Sequence, residues 1–184
     1  MSWSPDSLAL VFGLIDPRTR ADLWVLPLKG DRKPQPFLHS SFSEGSGQLS
    51  PDGKWLAYTS NETGQNEVYV RSFPSGPGRK LSTDGGNYPR WRPDGKEIFY
   101  LSDGKLMAAE VRNTGPSSSF EYVPPKELFD THISSAIHAA YRPYAVSRDG
   151  QRFLVPRPDV PLADVSPTSV TVVINWPALL QDQR

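Results

Sequence analysis

Trp91-Arg92-Pro93-Asp94-Gly95, followed at once by Lys96-Glu97-Ile98-Phe99-Tyr100-Leu101, decides the fold, because near-copies of it recur along the chain. Ser50-Pro51-Asp52-Gly53 precedes Lys54-Trp55-Leu56-Ala57-Tyr58, Ser4-Pro5-Asp6-Ser7 precedes Leu8-Ala9-Leu10-Val11-Phe12, and Ser147-Arg148-Asp149-Gly150 precedes Gln151-Arg152-Phe153-Leu154-Val155. Asp6, Asp52, Asp94 and Asp149 stand 46, 42 and 55 residues apart. That matches or approaches the roughly 40–50 residues of a four-stranded propeller blade.

The motif reads as a tight turn between two strands. Pro5, Pro51 and Pro93 set φ at the first corner, and Asp6, Asp52, Asp94 and Asp149 reach forward to the turn backbone. Gly53, Gly95 and Gly150 supply the left-handed residue that a following bulge needs. Ser7 replaces the glycine in the first repeat and Arg148 the proline in the last, the two places where atypical capping units belong. After each turn Leu10, Leu56, Ile98 and Phe153 share one position, and Phe12, Tyr58, Tyr100 and Val155 fall two residues further on. Val11, Ala57, Phe99 and Leu154 lie between them and point to the opposite face. Strands apolar on both faces belong to sheets stacked between other sheets, as propeller blades are.

The remaining strands follow from each turn. The first repeat continues through Leu8–Phe12, Leu23–Leu26 and Pro36–Leu38, the second through Trp55–Thr59, Val68–Phe73 and Arg79–Ser82. The third uses Pro89–Trp91, Ile98–Leu101, Leu106–Val111 and Glu127–Phe129, with 113–119 as an insertion. The fourth uses Tyr144–Val146, Phe153–Val155 and the β-forming run Val170–Trp176, reached through a proline-rich excursion over 156–168. The expectation is an all-β chain with about four blades, at 1–41, 42–84, 85–131 and 140–176, and a tail at 177–184. The last blade is expected to lack its outer edge, with no strand before Trp3 expected to supply it. Leaving a blade face uncovered, with Leu10, Phe12, Leu23 and Val25 exposed, costs roughly 6–12 kcal/mol at ~1.5–3 kcal/mol per side chain. The missing blades of a six- to eight-bladed ring are therefore expected from the same parent chain or from a second copy.

Composition narrows the function. Twenty basic residues balance 20 acidic ones, so no net field draws the chain to nucleic acid or an anionic membrane surface. Nineteen prolines and 14 glycines suit short strands and many turns, and the absence of cysteine excludes disulfides and thiolate metal sites. No segment reaches the roughly 20 apolar residues of a membrane helix.

Catalytic motifs are not found. There is no Gly-x-Ser-x-Gly elbow, Gly45-Ser46-Gly47 reads as a loop, and no kinase signature occurs. His39, His132 and His138 match no metal-ligand spacing, so neither metal nor cofactor is expected. One constellation carries binding chemistry. Inner strands line a propeller's channel, and here they carry or flank Arg90, Arg92, Arg142 and Arg148, with Tyr88, Tyr141 and Tyr144 beside them. Such a set suits an anionic ligand or a peptide carboxylate, with forked hydrogen bonds from arginine and flat contact area from tyrosine. The alternative is a solvated rim in which the arginines pair with neighbouring acids.

Ser-Pro-Asp-Gly-Lys followed by an apolar-aromatic strand, and then an acidic residue before Val68-Tyr69-Val70, resembles the TolB-like, WD40-like propeller repeats of bacteria. The ending, Tyr144–Leu154 and then Thr171–Trp176, is similar to the C-terminus of propellers fused behind bacterial serine/threonine kinases. The resemblance implies a non-catalytic module with a protein or peptide partner, either the sensor of a receptor-like kinase or a periplasmic scaffold. It implies an extracytoplasmic setting, with the cytoplasm left open. A propeller accessory to a prolyl-oligopeptidase-like peptidase is the competing expectation.

Overall fold

The computed structural model describes residues 1–17, 20–113, 120–131, 133 and 143–156. All the secondary structure they form is β. The first sheet runs β1 (Ser2–Trp3), β2 (Ala9–Asp16), β3 (Arg20–Pro27), β4 (Gln35–Leu38), each strand antiparallel to its neighbour in chain order. The second repeats that order with β5 (Glu44–Leu49), β6 (Trp55–Ser60), β7 (Glu67–Ser72), β8 (Gly78–Lys80). In the third, β9 (Asn87–Trp91), β10 (Glu97–Ser102) and β11 (Lys105–Asn113) are followed by β12 (Glu121–Tyr122) and β13 (Lys126–Asp130). The fourth contributes β14 (Ala145–Val146) and β15 (Phe153–Leu154). The expected Val170–Trp176 strand and the 177–184 tail lie outside the described residues.

Two elements differ from expectation. The hairpin of β2 and β3 is longer than the Leu8–Phe12 and Leu23–Leu26 segments, pairing out to Asp16 and Arg20 through the exposed Leu14 and Ile15. In the third blade two short strands share the outer edge: β12 pairs with the end of β11 at Val111 and Tyr122, and β13 with its start at Leu106 and Phe129.

Stacking follows from register. Each inner strand pairs one residue with the second strand at the same place: Trp3 with Leu10, Leu49 with Leu56, Trp91 with Ile98, Val146 with Phe153. Paired residues point to one face. Leu49, Leu56, Tyr58 and Tyr69 thus form the rear face of the second blade, packed on Val11 and Leu23 from the front of the first. Trp91, Ile98, Tyr100 and Ala109 pack likewise on Ala57, Val68 and Val70. Val146, Phe153 and Val155 meet Phe99, Leu101, Leu106 and Ala108. Three junctions therefore repeat one design, a rear face covered by the front of the blade before it.

That design corrects the expected open face. Leu23 is fully buried and Val25 packs beside it in the first junction, because Val11 pairs with Val25 and Gly13 with Leu23 on the covered side. The rear face of the first blade carries the exposed Trp3 and the half-buried Leu10, Phe12, Trp24 and Leu26 instead, joined by the pairs Leu10–Leu26 and Phe12–Trp24. At the other end Leu154 is 75% exposed, where Val11, Ala57 and Phe99 at the same position are buried.

Candidate binding cleft between the third and fourth blades

The four turns share one hydrogen-bond plan. The amide of the left-handed residue donates to the carbonyl three residues back: Ser7 to Ser4 and Gly53 to Ser50 at 2.9 Å, Gly95 to Arg92 at 2.8 Å, Gly150 to Ser147 at 2.9 Å. Oδ1 of Asp6, Asp52, Asp94 and Asp149 accepts the amide two residues on, at 2.9, 3.1, 3.0 and 3.0 Å. The serine that opens the motif went unread in the sequence, although it recurs in three of the four copies. Ser4, Ser50 and Ser147 each donate to the aspartate at 2.5 Å and accept the amide of Ala9, Trp55 or Arg152. This hydroxyl, then the backbone amide, holds the Asp6 and Asp149 carboxyls below the ordinary range.

Arg92 occupies the serine position in the third blade. Its guanidinium pairs with Asp94 at 3.3 Å and Glu97 at 2.8 Å, and its stem lies across the fourth blade's turn, where a Cβ on Gly150 would sit 2.7 Å from Nε. Arg92 thus braces the turn, the paired arrangement given above as the alternative to a channel role. Arg148 is an exposed corner residue standing where the other repeats have proline. Tyr88 packs against the third junction, and its carbonyl accepts the Tyr144 hydroxyl at 2.9 Å. Tyr144 is itself buried, which pushes its phenol far above the usual range and leaves it a neutral donor. Tyr141 and Arg142, like His132 and His138, lie outside the described residues. His39 meets the buried Asp22 at 3.0 Å.

Arg90 and Tyr144 come together. A cleft of about 640 Å³ lies between the inner strands of the third and fourth blades, and both residues line it with Gln48, Trp91, Val146 and Leu154. Nη1 of Arg90 donates to the Pro89 carbonyl at 2.9 Å, and the guanidinium carbon sits 5.9 Å from the Tyr144 ring centre, a cation–π distance. One junction earlier, the Trp91 indole donates to the Gln48 carbonyl at 3.1 Å while the Trp91 amide donates to Gln48 Oε1 at 3.2 Å. Val146 takes the register position of Trp91 in the fourth blade. It is far smaller than an indole, so the junction holds a cleft. Its size falls within the ~300–1,000 Å³ of small-ligand sites, with an apolar lining and a few polar groups. Gln48 was absent from the expected set; its signal was its alignment with Arg90, one residue before the last of its inner strand.

No protein-family model matches the chain. Over 113 residues, 59% of its length, it is 30% identical to the uncharacterized peptidase YuxL of Bacillus subtilis, covering 17% of that protein. Over 75 residues it is 36% identical to tricorn protease homolog 2 of Streptomyces coelicolor, covering 6% of it. Among solved structures it resembles TolB from Acinetobacter baumannii, with a TM-score of 0.57 and 19% identity over 83% of this chain and 35% of that one. It also resembles a TolB-type structure from Agrobacterium tumefaciens, with a TM-score of 0.53 and 16% identity over 66% of this chain and 47% of the other. The chain thus spans less than half of the solved structures it resembles and under a fifth of its curated relatives. These likenesses, with the sheets described above, show the fold: a TolB-like β-propeller built of four-stranded antiparallel blades.

Proposed function

We propose that the chain is a non-catalytic, peptide-binding propeller module of a larger bacterial protein, and that its site is the cleft between the third and fourth blades. The observation that carries this reading is the junction itself, where Val146 replaces an indole and Arg90, stacked over Tyr144, borders the resulting space. An arginine beside an apolar wall of Trp91, Val146 and Leu154 suits a peptide's terminal carboxylate and its last apolar side chain. Two sequence relatives bear peptidase and protease names, which supports a setting in which the module presents peptides to a hydrolase on the same or an associated polypeptide. The second setting, the extracytoplasmic sensor of a receptor-like kinase, rests on the resemblance of Tyr144–Leu154 to kinase-fused propellers, and neither relative is named a kinase. A stand-alone periplasmic scaffold is the third.

The test is fluorescence anisotropy with a labelled heptapeptide ending in leucine, compared with its C-terminal amide. A charge-assisted hydrogen bond contributes about 1.5–3 kcal/mol, so the free acid is expected to bind roughly 10–100-fold more tightly than the amide. Arg90→Ala is expected to abolish that difference. Equal binding of acid and amide, or an unchanged difference in Arg90→Ala, overturns the reading.

A further inference from the structure

The junction of the first and second blades and that of the second and third share one register but not one set of charges. Asp22 and Glu67 occupy the same position, opposite Leu14 and Ser60 on the neighbouring strand, and both are buried. The Glu67 carboxylate accepts bonds from the Ser82 hydroxyl, the Gln65 amide and the Lys80 ammonium. Against it the third blade sets Gly86, where a Cβ would stand 3.0 Å from atoms of Ser82, Tyr100 and Val68. The counterpart of Gly86 in the second blade is Glu44, since Gly45 pairs with Thr59 as Asn87 pairs with Leu101. The first junction therefore holds two buried carboxyls where the second holds one.

A single histidine serves that pair. His39 Nδ1 lies 3.0 Å from Asp22 Oδ2. Glu44 is 3% exposed; its Oε1 accepts the Ser40 hydroxyl, and its Oε2 is buried with no hydrogen-bond partner among the described residues. An oxygen so placed penalises the ionised carboxylate, which has lost water and gained nothing in return. The other titratable groups that face Glu44 bring no positive charge: Glu62 stands exposed on the connection between β6 and β7, and the Tyr58 phenol on β6 is pushed by burial up to about 12. No group of three His, Asp or Glu side chains among the described residues could hold a metal ion. The ion that fits is a proton.

We propose that Glu44 is a proton-operated lock between the first two blades: protonated, it seats against Asp22 and ties the connecting loop, and ionised, it is repelled by Asp22 and Glu62 and releases that loop. The tie begins at this carboxyl. Ser40 donates to it, the Phe42 amide donates to Ser40 Oγ at 3.0 Å, and the Ser43 amide donates to Asn61 Oδ1 at 2.8 Å. Burial, with the Asp22 and Glu62 charges behind it, raises the carboxyl above the ordinary glutamate range against the Ser40 bond and His39. Stability from a raised value is complete below the unfolded value near ~4.3 and is lost as the pH rises through the folded one. Glu67, held low by its hydrogen bonds despite burial, has the opposite sign, so the two junctions answer pH in opposite directions. This inference does not rest on the peptide-binding reading.

Urea unfolding of the wild type and Glu44→Gln tests it, because the amide keeps the shape and the Ser40 acceptor but cannot ionise. The ratio of wild-type to variant unfolding constants separates this group from all others that titrate. From about pH 4 to about pH 8 the ratio is expected to rise, by up to ~10-fold per pH unit where only the unfolded chain is ionised at this position. A ratio that is constant or falls with pH overturns the proposal. At the upper end of that range the Phe42 and Ser43 amides are expected to exchange with solvent faster in the wild type than in Glu44→Gln; equal exchange overturns the release of the loop. Where the variant loses its fold, a carbon NMR titration of the Glu44 carboxyl in the wild type decides. A midpoint above the ordinary ~4.3 is expected, and one at or below it overturns the proposal.

Discussion

Ser50 donates its hydroxyl proton to Asp52 and accepts the Trp55 amide, so one buried side chain ties both ends of its turn. Ser50→Ala leaves that amide and one carboxylate oxygen without this partner, and is expected to lower stability by about 1–2 kcal/mol in urea unfolding. Ser7 has φ of 58° where the other turns use glycine. Ser7→Gly removes a left-handed strain of ~1–2 kcal/mol and adds some unfolded-state entropy, so a net gain of roughly 0.5–1 kcal/mol is expected by calorimetry. Glu67 is buried, which alone raises its pKa, but hydrogen bonds from Ser82, Gln65, the Gly85 amide and Lys80 outweigh burial and hold it below the ordinary range. Its contribution is therefore complete above the unfolded value near ~4.3 and is lost as the pH falls through the lower folded value. Glu67→Gln is expected to cost about 1–3 kcal/mol at neutral pH and to flatten the acid limb of a stability-against-pH curve. Proline, aspartate and glycine of the motif were readable because each has its own backbone preference; the serine acts only through a partner two residues away and one five residues away, which composition does not display.

Blades hold together through alternation, and this was legible from the residues after each turn. Val11, Ala57 and Phe99 do face forward, and their neighbours on either side face back. Phe99 carries the third junction, with its ring edge-on to Phe153 at 4.9 Å. Phe99→Ala is expected to cost about 3–5 kcal/mol, because neighbouring sheets cannot collapse into the cavity. A loss below 1 kcal/mol would mean that the fourth blade is not docked as described. Which strand face lies open at each end was not legible, since β3 pairs in a register that only the β2 hairpin sets; Leu23 and Val25 were therefore assigned to the wrong side. Arg92 stands at the serine position of the turn, and its charge is taken up by Asp94 and Glu97, a pairing that residue type alone does not display.

At the scale of the molecule, identical junctions make a deviation informative. Two inner-strand contacts are filled, by Leu49 below Ser2 and by Trp91 below Gln48, and the third is left open by Val146 below Arg90. Arg90 and Tyr144 were visible in the sequence as candidates, but the cleft was not. It exists only as the difference between two register-equivalent residues 55 positions apart, Trp91 and Val146. In the proposed function this substitution makes the binding site. Val146→Trp restores an indole to the junction and leaves Arg90 in place, and the measurement is a titration of this variant with the free-acid heptapeptide beside a thermal melt. A melting temperature no lower than wild type and an affinity reduced at least tenfold are expected. Unchanged affinity in a folded Val146→Trp protein would contradict the proposed function.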